Sequence, residues 1–97
     1  MAKSILQKEK VCYFCGTTHD LHEHHIYFGH GKRKISERNG FKVWLCAPHH
    51  NMSGFGVHFD RKKDLLLKRV CQRKYEENHT RAEFMEMIGR NYLEGET

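Results

Sequence analysis

The sequence lacks a long hydrophobic segment. No apolar run approaches the roughly 20 residues that a helix needs to cross a bilayer, and only 38% of the residues are hydrophobic. The first eight residues, MAKSILQK, also lack the apolar core of a secretory signal. We therefore expect no membrane partner and predict a soluble protein of the cytoplasm.

The chain also has little material for a hydrophobic core. Its 97 residues suffice for one domain, but a core of that size leaves the folded state only marginally stable, and a structural metal ion is a common remedy. We expect a flexible lead-in over residues 1–10, a single domain over residues 11–93 and a disordered tail over residues 94–97.

Cysteines are few, and their spacing suits a metal better than disulfides. Only four are present, and an intracellular compartment disfavours disulfide bonds. Cys12 and Cys15 form a Cys-x2-Cys pair, and Cys46 and His49 form a second pair about thirty residues later. Two such pairs predict a zinc site. Because Cys-x3-His spacing also occurs, His50 is an alternative fourth ligand.

Hydrophobic patterning predicts a small α+β fold. Strands are expected over residues 21–27 and 41–45, paired antiparallel. The segment between them, residues 28–40, has three glycines and several basic residues, and we expect it to be a loop. Residues 47–51 suit the first turn of a helix, where proline is tolerated. The metal-stapled core is therefore expected over residues 11–58.

Two helices are predicted in a C-terminal extension, residues 60–93. Asp60 can cap a helix that runs to about residue 78, with apolar residues at three- and four-residue spacing. These apolar positions are Leu66, Leu67, Val70, Cys71 and Tyr75. Cys71 is therefore expected in the core rather than at a metal. Thr80 and Glu83 form a capping box for a last helix, which Gly89 should end.

Basic residues exceed acidic ones. Lysine and arginine number 17 against 12 aspartate and glutamate residues, for a formal charge of +5. Part of the surplus lies in residues 28–40 and part in residues 60–74. A basic surface attracts phosphate groups, and nucleic acid is the natural polyanion, although a solvated helix face would explain the second run almost as well.

Histidines are concentrated near the cysteines. All except His79 lie between residues 12 and 58. On the first predicted strand, alternation places His22 and His24 on one face, and Glu23 and His25 on the other. Imidazoles bind divalent transition metals and transfer protons near neutral pH. Because an apolar strand has little structural use for three histidines, this cluster predicts a chemical site.

These motifs together resemble the HNH endonuclease family, also called the ββα-metal or His-Me finger, in its zinc-stapled form. The resemblance rests on Cys12-x2-Cys15, Glu23-His24-His25-Ile26 and Leu45-Cys46-x2-His49-His50-Asn51. Residues 54–58 and 89–93 are also similar to small phage and prophage HNH-type proteins. The resemblance implies a two-stranded antiparallel hairpin plus a helix, stapled by a structural zinc and followed by two C-terminal helices.

The resemblance also implies a role for each motif residue. His25 would be the general base, and His24 and His50 would bind a catalytic divalent metal, with His58 as a further candidate ligand. Asn39 would brace the loop, with Asn51 as an alternative. The structural zinc ligands would be Cys12, Cys15, Cys46 and His49. The loop would contact the nucleic-acid backbone through Lys32, Arg33, Lys34 and Arg38.

The implied activity is metal-dependent hydrolysis of DNA with low sequence specificity, in a bacterial host or a phage-infected cell. The catalytic ion would be Mg²⁺, Mn²⁺, Ni²⁺, Co²⁺ or Zn²⁺, and the imidazole ligands favour ions that prefer nitrogen. A nuclease of this size that cuts both strands would act as a homodimer. The alternative is a non-catalytic zinc-finger module that binds nucleic acid, which explains the zinc pairs and the charge but leaves His24, His25 and His50 without a role.

Overall fold

The computed structural model of the chain describes residues 3–29, 31–52, 56–58 and 60–93. They form a small α+β fold. The elements are β1 (Leu21–His25), α1 (Lys32–Asn39), β2 (Lys42–Cys46), a π-helical turn (Pro48–Met52), α2 (Arg61–Glu76) and α3 (Arg81–Ile88). The predicted tail, residues 94–97, lies outside the described residues. Within the described ranges, no helix has the length and apolar character needed to span a membrane.

Strands β1 and β2 form a two-stranded antiparallel sheet, which confirms the predicted pairing. His24 lies opposite Val43, and His25 lies opposite Lys42. Because side chains alternate between the two faces of a strand, His22 and His24 share one face and His25 points to the other. The sheet therefore directs two neighbouring histidines into different surroundings.

The segment between the strands was predicted to be a loop, and that prediction is wrong, because most of it forms helix α1. Gly31 and Gly40 flank the helix, with φ angles of 82° and 74°, instead of marking turns of a loop. Ser36 is buried, and its hydroxyl both donates to the carbonyl of Tyr27 and accepts from the Tyr27 N–H. The helix contains one apolar residue and so lacks the periodic pattern by which amphipathic helices are recognised.

The predicted caps of the two C-terminal helices are confirmed. The Asp60 side chain accepts hydrogen bonds from two backbone N–H groups at the start of α2. Thr80 and Glu83 form the capping box of α3, and Gly89 ends that helix in the left-handed conformation. These ends are encoded locally, since each depends on side chains within three residues of the helix terminus.

The core lies between the sheet and the C-terminal helices. Its largest fully buried side chains include Tyr27 and Phe41, whose rings pack edge to face. Leu67 and Cys71 of α2 are buried there, as predicted, whereas Leu66 is 46% exposed and does not belong to the buried stripe. This core fixes the position of β1 relative to α2, and with it the position of the histidines.

The lead-in, residues 1–10, has no helix or strand over its described part, residues 3–10. The Ile5 N–H donates to the carbonyl of Gly40, and the side-chain oxygen of Gln7 accepts a hydrogen bond from the Trp44 N–H. The described part of the segment therefore runs along the free edge of β2.

Candidate functional site

Two segments far apart in the sequence bring three thiols and one imidazole together. Cys12 and Cys15 precede β1, Cys46 ends β2, and His49 lies in the π-helical turn. The sulfurs of Cys15 and Cys46 are 3.7 Å apart, and Nδ1 of His49 lies 3.2 Å from the Cys46 sulfur and 3.6 Å from the Cys12 sulfur. All four ligand atoms lie within 4.8 Å of one another. This Cys3His group could hold a metal ion such as zinc.

The spacing of these atoms fits a tetrahedral site. With Zn–S bonds of about 2.3 Å and Zn–N bonds of about 2.0 Å, two sulfurs lie roughly 3.8 Å apart, and a sulfur and a nitrogen roughly 3.5 Å apart. The observed separations of 3.7, 3.2 and 3.6 Å are close to those values. These three separations are therefore close to those that a tetrahedral ion requires, and the other three are at most 4.8 Å.

Two thiols of this group, those of Cys12 and Cys46, have pKa values that differ from that of a free thiol. Burial raises the pKa of Cys12, but hydrogen bonds from the backbone N–H groups of Cys46, Cys15 and Phe14 outweigh it and lower the pKa to about 6. Burial, together with the neighbouring Cys12 and Cys15, raises the pKa of Cys46 to about 11. A bound cation would stabilise the thiolate form at both positions, because its positive charge offsets the repulsion between neighbouring thiolates.

A second cluster consists of His24 in β1, His50 in the π-helical turn and His58. One ring nitrogen of each lies within 4.8 Å of the others, and the Nε2 atoms of His50 and His58 are 3.1 Å apart. His24 is 2% exposed, and its Nε2 has no hydrogen-bond partner among the described residues. Buried polar atoms without a partner are uncommon and call for an explanation. An ion held by the three imidazoles would provide that partner.

The histidines of this cluster are suited to binding a cation. Burial lowers the pKa of His24 to about 3, with a further contribution from His50 and His58. The pKa of His50 is lowered to about 4, mainly by burial and to a smaller extent by the neighbouring His58 and His22. Both rings are therefore neutral near pH 7 and can offer a lone pair. Nδ1 of His50 lies 2.9 Å from Nδ1 of His22, and such a second contact commonly orients a ligating imidazole.

His58 reaches the cluster because the chain folds back onto the π-helical turn. The His58 N–H donates to the carbonyl of His50, at 3.2 Å. Gly56 permits this approach, since a Cβ atom at that position would lie 2.8 Å from the carbonyl oxygen of His50. The sequence suggested His58 as a candidate ligand, and the fold brings it beside the other two.

His25 lies on the opposite face of β1 and belongs to a charged network. Its Nε2 is 2.9 Å from Oε1 of Glu37 in α1. Nζ of Lys42 is 2.6 Å from Oε2 of Glu37 and 3.3 Å from Oε2 of Glu23. Ligand-type atoms of Glu23, His25 and Glu37 also cluster closely enough for an ion, but the ammonium of Lys42 already supplies a cation to both carboxylates.

His25 and the cluster of His24, His50 and His58 line one common cleft of about 270 Å³. Its lining includes His24, His25, His50 and His58, together with Glu23, Phe28 and Arg33. A candidate proton acceptor, a candidate metal-binding group and a basic side chain therefore face the same space. A larger cleft, of about 650 Å³, lies between the lead-in and β2, and its described lining contains no histidine.

The remaining predicted site residues lie on helix α1. Arg33 lines the cleft, whereas Lys32, Lys34 and Arg38 lie outside it on the same helix. The Asn39 side chain donates to the carbonyl of Ile35, at 2.8 Å. Asn39 therefore stabilises the last turn of α1, and the loop that it was expected to brace is this helix.

Sequence reasoning missed Glu37 and Lys42. The antiparallel register could have indicated Lys42, because it lies directly opposite His25 and cross-strand neighbours share a face. Glu37 gave no usable signal, since its segment was expected to be a loop, and a loop does not fix the direction of a side chain.

Comparison with known proteins leaves the function of these clusters to be inferred from their chemistry. No family model, curated protein or solved structure matches the chain.

Proposed function

We propose that the chain is a metal-dependent endonuclease of the HNH type that hydrolyses phosphodiester bonds of DNA. The observation that carries the proposal is the single cleft shared by His25 and the group of His24, His50 and His58. Hydrolysis of a phosphodiester requires a base to activate water and a cation to stabilise negative charge. A module that only binds nucleic acid requires neither of them.

The two metal-binding groups have different roles in this proposal. The Cys3His group offers four ligands, which complete a tetrahedron and leave no position for a substrate, as is usual for structural zinc. The histidine group offers three ligands, and a metal site with three protein ligands keeps a position open. The structural zinc would staple β1, β2 and the π-helical turn into a ββα-metal arrangement, and the histidines would hold the catalytic ion.

The reaction is attack of water on phosphorus. His25 accepts a proton from the attacking water while the water oxygen bonds to phosphorus. The bond between phosphorus and the 3′ oxygen breaks, the leaving oxygen takes a proton from solvent water, and His25 returns its own proton to the solvent. Stabilisation of the charge on the phosphoryl group and the leaving oxygen would come from a divalent ion held by the three histidines, such as Mg²⁺, Mn²⁺, Ni²⁺, Co²⁺ or Zn²⁺.

Substrate binding relies on charge rather than on contacts to base edges. Arg33 lines the cleft, and Lys34 and Arg38 are exposed on the same helix. Contacts from such side chains to phosphates set the position of DNA without reading its sequence. We therefore expect low sequence specificity.

The test is nicking of supercoiled plasmid by protein of known zinc content. Nicking should appear with added Mg²⁺, Mn²⁺, Ni²⁺ or Co²⁺ and stop with EDTA. His24→Ala should keep the zinc of the Cys3His group and lose metal-stimulated nicking, whereas His19→Ala, at an exposed position before β1, should match the wild type.

One result would favour the alternative function. If the protein holds one zinc and binds DNA in a salt-dependent manner, but nicks it with none of these ions, the proposal is wrong. A non-catalytic zinc-finger module would then describe the chain better.

A further inference from the structure

The Glu37 carboxylate contacts one ring nitrogen of His25. Its Oε1 lies 2.9 Å from Nε2 of His25. Hydrogen bonds from Lys42 and His25 lower the pKa of Glu37 to about 2, so the carboxylate is ionised and can only accept hydrogen bonds. The hydrogen in this contact therefore belongs to Nε2 of His25.

Lys42 fixes the orientation of the Glu37 carboxylate. The Lys42 side chain is 6% exposed, and its Nζ lies 2.6 Å from Oε2 of Glu37. The same ammonium lies 3.3 Å from Oε2 of Glu23. Glu37 thus presents one oxygen to the ammonium and the other to the imidazole. Because both oxygens belong to one rigid carboxylate, the contact with Lys42 holds the second oxygen toward His25.

We propose that Glu37 is a positioning residue, which holds His25 in the tautomer protonated at Nε2 and leaves Nδ1 to accept the proton of the attacking water. The role of Nδ1 rests on the proposed nuclease function. The tautomer does not, because it is a property of the folded chain that can be measured without substrate.

The substitution Glu37→Gln should reverse the tautomer. Lys42 and His25 contact different oxygens of Glu37, and an amide has an oxygen at one of these two positions and an NH2 group at the other. The ammonium can only donate and takes the oxygen, which turns the NH2 group toward His25. Nε2 must then accept, the hydrogen moves to Nδ1, and Nδ1 can no longer act as the base.

Removing the ammonium as well should undo this reversal. In the double variant Glu37→Gln with Lys42→Met, the amide oxygen has no ammonium to satisfy and can turn toward His25. Methionine keeps the length and apolar character of the buried lysine stem. The double variant should therefore regain the hydrogen on Nε2.

The experiment combines ¹⁵N NMR of the His25 side chain in zinc-loaded protein with plasmid nicking. We expect hydrogen on Nε2 in the wild type, on Nδ1 in Glu37→Gln, and on Nε2 again in the double variant. The kcat of nicking should fall at least about tenfold in Glu37→Gln, with KM within about twofold, and recover in part in the double variant. Glu86→Gln, at an exposed position of α3, should leave both readouts unchanged.

The outcomes separate this inference from the nuclease itself. Hydrogen on Nδ1 in the wild type would overturn the inference without any variant, and so would an unchanged tautomer or an unchanged kcat in Glu37→Gln. Absence of nicking by the wild-type protein with every ion would instead refute the nuclease, and with it the role of Nδ1 as the base.

Discussion

Loss of one thiol from the Cys3His group should unfold the domain. Cys46 is 5% exposed, and its sulfur lies 3.2 Å from Nδ1 of His49 and 3.7 Å from the sulfur of Cys15. Structural zinc sites bind their ion with about 10–16 kcal/mol, whereas a domain of this size has a net stability of about 5–15 kcal/mol. If the group holds zinc as proposed, Cys46→Ser therefore removes a contribution comparable to the whole free energy of unfolding.

Cys71→Ser is the matched control for this substitution. Cys71 is also buried, but it lies in the core outside the Cys3His group, so its replacement should cost about 1–3 kcal/mol and leave the metal content unchanged. Metal content from mass spectrometry and thermal unfolding followed by circular dichroism, with and without chelator, compare the two variants. The reasoning is refuted if Cys46→Ser keeps one tightly bound zinc and unfolds at the wild-type temperature.

The helix cap, the backbone and the proposed DNA-binding surface can each be tested by substitution. Thr80→Ala removes the hydroxyl that accepts from the Glu83 N–H and should lower the free energy of unfolding by about 1 kcal/mol in urea denaturation. The backbone N–H of Thr80 lowers the pKa of Glu83 below its usual 4.5, so the stability from this carboxylate is present above that pH and lost as the pH falls. Glu83→Gln should accordingly destabilise the protein more at about pH 7 than at about pH 3, and a larger effect at the lower pH would contradict this. Gly40→Ala should destabilise strongly in the same assay, because φ is 74° and a Cβ atom would collide with the carbonyl oxygen of Lys3; wild-type stability of that variant would show that the lead-in does not pack there. Arg33→Ala should reduce the slope of log affinity for DNA against log salt by about one, and a flat salt response of the wild type would argue against phosphate contacts.

Local patterns in the sequence predicted the sheet, the caps and the grouping of the metal-type side chains. The pairs Cys12 with Cys15, and Cys46 with His49, are short-range spacings, and antiparallel pairing of the strands brings the two pairs to the same end of the sheet. Asp60 and Thr80 begin their helices through contacts within three residues. Such features depend little on the rest of the fold.

Helix α1 and the surroundings of His25 could not be predicted in this way. Ser36 of this helix forms hydrogen bonds with Tyr27, nine residues away in the sequence, and such a contact leaves no pattern in the local sequence. Without that helix, nothing in the sequence directs Glu37 toward His25. Likewise, the contact of His22 with His50 depends on how the π-helical turn packs against β1, which strand alternation alone does not reveal.

The central claim is that His25 acts as the base beside a metal-binding group of histidines. The most direct measurement compares plasmid nicking by the wild type, His25→Ala and His79→Ala at equal zinc content, with Mn²⁺ or Ni²⁺ added. His79 is exposed near the end of α2, so His79→Ala should nick at the wild-type rate. We predict that His25→Ala nicks about 10²–10⁴ times more slowly, with unchanged zinc content and the domain still folded; nicking by His25→Ala at the wild-type rate would contradict the account.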